Sequence, residues 1–424
     1  MNLRKFSFMV SVVLLLSVLL SACAGAAPTA APDKPADSSG GAATGGEKVL
    51  KLGAAISETG QVSREGKFLK DGYEFWKDTV NAAGGVDIGG AKYKVEIVYY
   101  DDKSEPQTSA KLTEKLITED KVDFILGPYS SGINIATAAI SEKYKVLSFA
   151  PLANATNIYT QGYKYVFSIL PPATRYLVYV LDMAVTLDPK PTNVALMARD
   201  DPFGISVAEG VKKHAEELGL KVVYYEKFPK NTTDVSALLT QVKELNPDIL
   251  IATTLYQDAI LITKQAKELK VCPKILSYSV GTAIPDFTKE LGPDANFIFG
   301  AEWWLPNMGW EGPVFPTASG YAKDFEAKYG YVPGYLSAAG AATGLLLQLA
   351  LEKAGEVNSD KVREELLKFK EQTFWGPIAW DETGQNISGA SGVIQIQDGK
   401  VTAVFPDAIQ QAKPIYPMPC WDNR

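Results

Sequence analysis

The chain has 424 residues, of which 46% are hydrophobic and 21% are charged, a composition typical of a globular protein with more than one core. Its 42 basic and 49 acidic residues give a net charge of −7, which argues against nucleic acid as a partner. The one histidine, His214, excludes most zinc sites and every nucleophile that needs a well-placed imidazole. We therefore expect no metal, no cofactor and no enzymatic activity.

The first 22 residues are typical of a secretory signal peptide. Arg4 and Lys5 precede an apolar run, Phe6–Leu20, which is shorter than the ~20 residues that a membrane-spanning helix needs. The run ends in Leu20-Ser21-Ala22-Cys23, and this tetrapeptide resembles a bacterial lipobox. The resemblance implies cleavage before Cys23 and a lipid on that cysteine. The alternative is an uncleaved signal anchor with an incidental cysteine.

Residues 23–47 consist mainly of Ala, Pro, Gly, Ser and Thr and carry few charges. They have too little apolar surface to offset the entropy of ordering the chain, so they are predicted to form a flexible tether. A lipid on Cys23 followed by a tether predicts a folded part that lies outside the cytoplasmic membrane, in the periplasm or at the cell surface, and is anchored to that membrane.

From residue 48 onward, short apolar runs alternate with amphipathic segments. The runs that predict strands are Val49–Ile56, Lys94–Tyr100, Val122–Leu126, Val146–Phe149, Asn193–Met197, Lys221–Tyr225, Asp248–Ala252 and Lys274–Ser277. The segments between them have helical spacing, most clearly residues 235–245. Strands that alternate with helices indicate parallel sheets flanked by helices. Because the pattern occurs twice, from 49 to about 168 and from 193 to about 300, it predicts two α/β lobes.

A set of short motifs occurs in order along this part of the chain. They are residues 52–60 (LGAAISETG), 81–86 (NAAGGV), 127–131 (GPYSS), 201–204 (DPFG), 246–248 (NPD) and 325–330 (FEAKYG). Together they resemble the branched-chain amino acid (leucine/isoleucine/valine-type) substrate-binding proteins of ABC transporters, which are type I periplasmic binding proteins. The resemblance implies two Rossmann-like lobes joined by a three-crossing hinge. It assigns residues 48–168 and 301–372 to lobe 1 and residues 169–300 and 373–424 to lobe 2.

The resemblance also implies a ligand-binding cleft between the lobes. Ser130 and Ser131 match the loop that holds a ligand carboxylate, and the start of a helix there would favour an anionic group. Ala153, Asn154 and Thr156 match the loop whose carbonyl and hydroxyl bind the ligand's ammonium and carboxylate. This loop is one residue longer than the common form, which leaves two alignments of Asn154 and Thr156 open.

Three further residues match positions that face the cleft in the family. Phe203 and Tyr256 stand where members carry an aromatic residue, and a place in the core is the alternative for both. Glu65 stands where the family often has an aromatic that faces the ligand, and a solvated surface glutamate is the alternative.

One departure from the family concerns the charge of the ligand. Amino-acid-binding members usually carry an acid in the loop after the strand that matches Lys274–Ser277, but residues 278–284 include none. An ammonium group buried without a carboxylate would be costly. Either another acid substitutes or the ligand is not a free α-amino acid. The acids near predicted cleft loops are Glu65, Asp201, Asp258 and Glu302.

Two pairs of side chains leave alternatives open. Trp303 and Trp304 follow Glu302 near a predicted hinge, and since neighbours on a strand point to opposite faces, at most one of them is expected to face a ligand. Cys272 and Cys420 could pair in an oxidising compartment, and two free thiols are the alternative.

The function predicted from these observations is that of an extracytoplasmic solute-binding lipoprotein of an ABC importer. Its ligand is expected to be a small polar molecule, namely an amino acid, an amide or a related carboxylate. Its expected partners are a membrane permease and, through the lipid on Cys23, the membrane itself, and the protein is expected to be a monomer. A ligand-sensing subunit of a signalling system with the same fold is the alternative.

Overall fold

The computed structural model describes residues 48–424, and the predicted signal peptide, Cys23 and the predicted tether lie outside these residues. Within them, strands alternate with helices along the chain, as the apolar and amphipathic segments predict. The strands assemble into two large sheets, each of which is flanked by helices and forms the centre of one lobe. The predicted fold class of two Rossmann-like lobes is therefore confirmed.

The sheet of the first lobe contains the N-terminal strands. They are β1 (Lys48–Ile56), β2 (Val86–Ile88), β3 (Ala91–Asp101), β4 (Phe124–Ile125), β5 (Ser148–Ala150) and β6 (Val166–Ser168). Their order is β2-β3-β1-β4-β5-β6, and all neighbours are parallel except β2 and β3. Residues 52–56 of β1 are all buried because helices cover both faces of the sheet.

Helices from two separate stretches of the chain cover this sheet. The first set is α1 (Ser63–Ala82), α2 (Pro106–Thr118), α3 (Ser131–Tyr144) and α4 (Thr156–Tyr159). The second set is α10 (Ala318–Tyr329), α11 (Tyr335–Ala354) and α12 (Ser359–Lys368). Glycines let α11 approach α1 closely, since a Cβ on Gly72 would lie 2.1 Å from the Ser337 carbonyl oxygen. The late helices are thereby fixed to the N-terminal lobe.

The sheet of the second lobe contains seven strands. They are β7 (Asn193–Arg199), β8 (Lys221–Phe228), β9 (Ile249–Thr253), β10 (Ile275–Tyr278), β11 (Phe299–Glu302), β14 (Gly392–Gln397) and β15 (Lys400–Phe405). Their order is β15-β14-β11-β10-β9-β7-β8, and the first two are antiparallel additions to a parallel sheet. Helix α5 (Val178–Ala184) precedes β7, and the helices between the later strands are α6 (Pro202–Glu217), α7 (Ser236–Leu245), α8 (Tyr256–Glu268) and α9 (Pro285–Leu291).

The chain passes between the two sheets three times: after β6, after β11 and after α12. The last passage includes a short ribbon of β12 (Gln372–Thr373) and β13 (Gly376–Pro377). Beyond that ribbon, the Trp380 indole donates to the Ser168 carbonyl oxygen at 2.6 Å, and the Asn386 amide donates to that of Ile169 at 2.7 Å. Residues 380–386 therefore lie beside the end of β6 before the chain enters β14. The residue bounds of the two lobes stay a prediction.

A disulfide joins Cys272 and Cys420, whose Cα atoms are 5.2 Å apart, a usual separation for such a bond. It connects the C-terminal segment to the loop before β10 in the second lobe. Of the two alternatives for these cysteines, the structure therefore has the paired one.

Candidate ligand-binding cleft

A small cavity of about 10 Å³, room for roughly one water molecule, lies between the two lobes in this form. The first lobe and its crossing segment contribute Tyr129, Ser130, Ser131, Leu152, Tyr176 and Tyr335 to its lining. The second lobe contributes Asp201, Phe203, Leu255 and Val280. Most of these residues lie in loops that follow the carboxyl end of a strand, which is where open α/β sheets bind ligands.

The loop after β4 brings both predicted serines to this cavity. Ser130 has a positive φ of 73°, which is uncommon for a residue other than glycine, and α3 begins at the next residue. The Ser131 hydroxyl oxygen accepts hydrogen bonds from the backbone N–H groups of Asn154 and Ala155, both at 3.2 Å. Among the hydrogen bonds of residues 48–424, none is donated by Ser131, so its proton can go to a ligand. The positive end of α3 favours an anionic or acceptor group at the same place.

The loop after β5 supports the cavity from behind. Leu152 lines the cavity, whereas Ala153, Asn154 and Thr156 do not. The Ala153 carbonyl accepts from the Tyr159 hydroxyl at 2.8 Å, and the Asn154 amide donates to the Pro171 carbonyl at 2.5 Å. Thr156 is exposed at the start of α4. A role of these three residues in binding stays a prediction.

The two predicted aromatic residues lie at different depths. Phe203 lines the cavity and contacts Tyr176 edge to face, with ring centroids 5.4 Å apart. Tyr256 is buried at the start of α8 and does not line the cavity, and its hydroxyl donates to Glu290 at 2.9 Å. Its ring lies 4.8 Å below the Arg64 guanidinium of the first lobe. The two residues are therefore both packed, but only Phe203 faces the cavity.

Glu65 lies in the first turn of α1 and is fully buried, so it is not a solvated surface residue. One of its carboxylate oxygens accepts the backbone N–H of Tyr256 from the other lobe at 3.3 Å. The other oxygen has no hydrogen-bond partner within residues 48–424. Burial raises the pKa of Glu65 to about 7, because the charged form loses its hydration.

Arg199, at the end of β7, is a cleft residue that sequence reasoning missed. Its side chain is only 2% exposed, and it donates to Asp201 and to Asp258, both at 2.6 Å. It also donates to Gln61 of the first lobe at 3.3 Å. The signal was a cation two residues before the N-cap of α6, at the end of an apolar run. Among described residues, it forms the one ion-paired cluster buried beside the cavity.

Glu302 lies at the end of β11, where the chain leaves the second sheet. Its buried carboxylate accepts the Tyr335 N–H at 3.1 Å, and burial raises the pKa of Glu302 well above its usual range. Tyr335 in turn bonds to Tyr176 through their hydroxyls at 2.9 Å. Trp303 contacts Tyr176 edge to face at 5.3 Å, whereas the Trp304 indole donates to the Phe374 carbonyl in the core. As expected, only one of the two tryptophans lies near the cavity.

Polar contacts cross the cleft at several points, so this structure is a closed form. The bonded pairs, each with one residue from either lobe, are Gln61 with Arg199, Glu65 with Tyr256, and Arg64 with Asp286. Opening the lobes would break all of them.

The sequence profile of the periplasmic binding protein family matches residues 49–400. This chain belongs to that family. Its members bind solutes and are not enzymes, which agrees with the predicted lack of catalytic activity. A curated relative, Leu/Ile/Val-binding protein homolog 8 of Brucella abortus (strain 2308), is 26% identical over 380 residues, which cover 86% of this chain and 92% of the relative.

Solved structures share the fold. The branched-chain amino acid transporter substrate binding protein LivJ from Streptococcus pneumoniae, in complex with isoleucine, is similar with a TM-score of 0.74 and 24% identity, covering 84% of this chain and 98% of that chain. An ABC transporter solute binding protein from R. palustris, in complex with benzoate, has a TM-score of 0.72 and 20% identity, covering 85% and 99%. These likenesses confirm the type I periplasmic binding protein fold.

Within residues 48–424, no helix is both long and apolar enough to span a membrane. In the same part of the chain, no cluster of three or more His, Cys, Asp or Glu side chains could hold a metal ion.

Proposed function

We propose that this protein captures a small polar ligand between its lobes and delivers it to the permease of an ABC importer. The proposed ligand is an amino acid, an amide or a related carboxylate. The observation that carries the proposal is a cavity lined by strand-end loops of both lobes. On one side the Ser131 hydroxyl has a proton that no group in residues 48–424 accepts, and on the other side lies a carboxylate, Asp201. Relatives named for leucine, isoleucine and valine binding support the same class of ligand.

The proposed capture needs no covalent chemistry. An acceptor group of the ligand would lie against Ser130 and Ser131 at the start of α3, and its apolar part against Leu152, Phe203 and Val280. A ligand that contacts both lobes binds the closed form more tightly than the open form. Its binding therefore shifts the population toward closure, which is the state that a permease would recognise.

The proposal includes the location of the protein. A lipid on Cys23 would anchor the folded part, as a monomer, to the outer side of the cytoplasmic membrane, where an importer receives its ligand. Replacing this residue, Cys23→Ala, should move the protein from the membrane fraction to the soluble fraction of the cell. Retention of the variant in the membrane would contradict lipid anchoring at this residue.

Ligand binding can be tested by a thermal-shift panel on residues 48–424. The panel should contain branched-chain, aromatic and acidic amino acids, short amides, urea and aromatic acids. A ligand at a hundred times its dissociation constant adds about 2.7 kcal/mol to the free energy of unfolding, which is readily measured. Absence of a shift with every member of the panel would overturn solute binding as the function.

A measurement of ligand uptake distinguishes transport from sensing. Deleting the gene should abolish uptake of the radiolabelled panel ligand by the native bacterium, and restoring the gene should restore uptake. Unchanged uptake, together with a changed transcriptional response to the ligand, would favour the sensing subunit instead.

A further inference from the structure

Two positions of this chain differ from what the family resemblance implies. Glu65 stands where an aromatic residue is expected, and residues 278–284 lack the expected acid. Val280 lines the cavity from the loop that usually carries the acid, and no carboxylate occurs in residues 278–284. Glu65, by contrast, lies in the first lobe beside the cavity rather than in its lining, and it contacts Tyr256 of the second lobe. A buried acid of the first lobe therefore lies at the contact between the lobes, whereas the loop that carries the acid in the family has none.

The surroundings of Glu65 leave one of its oxygens for a ligand. Its bonded oxygen faces the N–H of Tyr256, which directly follows the cavity-lining Leu255. The second oxygen is buried and unpartnered among the described residues. Because Glu65 and Tyr256 belong to different lobes, opening the cleft breaks their hydrogen bond and exposes the carboxyl to an entering ligand. Reclosure would bury the carboxyl together with whatever it has bound.

The charges around Glu65 favour a cation. Asp258 from α8 faces it with a like charge, and Arg64 on its own helix partly offsets its charge. Tyr129, from the loop after β4, is also close enough to Glu65 that a charge on Glu65 contributes to raising the pKa of Tyr129. Beside Glu65, a single cation, Arg199, is paired with two carboxylates, those of Asp201 and Asp258. A cationic ligand would thus reduce an excess of negative charge in a low-dielectric site.

We propose that Glu65 is the specificity-determining acid of the cleft, and that it receives a cationic nitrogen of the ligand from the first lobe. The inference rests on the proposed function and narrows it to ligands that carry such a nitrogen. Ionisation of Glu65 accompanies binding, because an ammonium group stabilises the carboxylate and not the neutral acid. In the closed form without ligand the pKa of Glu65 is about 7, so capture by that form at pH 7 should release about half a proton per ligand.

Three ligands of similar size test the contributions of the ammonium group and of the carboxylate separately. L-Leucine carries both groups, 4-methylpentanoate lacks the ammonium, and 3-methylbutylamine lacks the carboxylate. In isothermal titration calorimetry, leucine and the amine should bind, and 4-methylpentanoate should bind at least about a hundredfold more weakly than leucine. Equal binding of 4-methylpentanoate and leucine overturns the inference and leaves the proposed function standing. Failure of these three and of the whole earlier panel overturns the proposed function itself.

Substitution assigns the effect to Glu65. Glu65→Gln keeps the size of the side chain and its acceptor for Tyr256, so at pH 8 it should lose about a hundredfold in leucine affinity and none for 4-methylpentanoate. The matched control is Glu58→Gln, which removes an exposed acid of the same lobe and should change leucine affinity by less than about twofold. Equal losses in the two variants contradict the proposal.

Proton release provides a test that needs no variant. The observed enthalpy of leucine binding at pH 7 should differ between phosphate and Tris buffers, in proportion to the proton released. The difference should vanish at pH 8.5, where the carboxyl is already ionised. A buffer-independent enthalpy at pH 7 overturns the assignment of the cation to Glu65.

Discussion

The two walls of the cleft differ in how their polar groups are satisfied. On the second-lobe side, Arg199 is bonded to two carboxylates and the cluster is complete without a ligand. On the first-lobe side, Ser131 has a hydroxyl proton and Glu65 has an oxygen that no group in residues 48–424 engages. Buried polar groups normally find partners, so Ser131 and Glu65 are the first-lobe groups that a ligand could engage.

The largest expected effect comes from breaking the second-lobe cluster. Arg199→Met leaves the buried Asp258 and the partly buried Asp201 without their cation, and it should lower the free energy of unfolding by about 4 kcal/mol in urea denaturation. The matched control is Lys227→Met, which removes an exposed partner of Asp200 and should change stability by less than about 1 kcal/mol. A loss of under 1 kcal/mol in Arg199→Met would mean that the cluster does not hold the second lobe.

The pH dependence of the free energy of unfolding tests Glu65, on the first-lobe side of the cleft. The native pKa of Glu65, about 7, lies above its ordinary value of 4.5, so between these values the native state binds more protons than the unfolded state. Stability therefore falls as pH rises from about 4.5 to about 7, and the fall due to Glu65 is on the order of 3 kcal/mol. Glu65→Gln should remove this fall and be more stable than the wild type at pH 8.5, while the two agree near pH 4. Parallel pH profiles would show that Glu65 is not held neutral by burial.

The sequence predicts more of the fold than of the site. Apolar runs long enough to show periodicity predict strands whose ends lie within three residues of those observed, such as Lys94–Tyr100 for β3. β2 (Val86–Ile88) has only three residues, and its pairing with β3 depends on the turn between them, so no periodicity indicates it. Short strands, such as β2 at the edge of the first sheet and β11 inside the second, are therefore the part of the fold that the pattern alone does not predict.

The site depends on contacts between distant residues. Ser130, Ser131 and Phe203 follow strand ends and match cleft positions of the family, and the two signals together predict that they face the cleft. From the sequence alone, Arg199 would be interpreted as a solvated cation. In the fold it contacts Asp258 and Gln61, which are 59 and 138 residues away in the chain. Burial of a charge is thus a property of tertiary partners, which a single sequence does not display.

A smaller effect should distinguish the two serines on the first-lobe wall. Ser131→Ala removes the acceptor of two backbone N–H groups as well as the hydroxyl offered to the ligand, so leucine affinity should fall by about 1–3 kcal/mol. Ser130→Ala, the matched control, removes a hydroxyl from the same loop without taking an acceptor from those N–H groups, so its loss in unfolding temperature should be the smaller one. Equal changes in affinity and unfolding temperature would show that the hydroxyl of Ser131 has no special position.

The smallest effect is expected at the mouth of the cleft, where the two lobes meet through Arg64 and Asp286. Both side chains are about one third exposed, at 38% and 32%, so water screens the pair and its removal by Asp286→Asn should lower ligand affinity by less than about 1 kcal/mol. Arg64 also lies over the Tyr256 ring, and that contact remains in the variant. A much larger loss, measured by calorimetry with leucine, would mean that closure depends on the rim of the cleft. The contrast between its two walls would then be secondary, since a ligand bound by Ser131 and Glu65 could not by itself keep the lobes together.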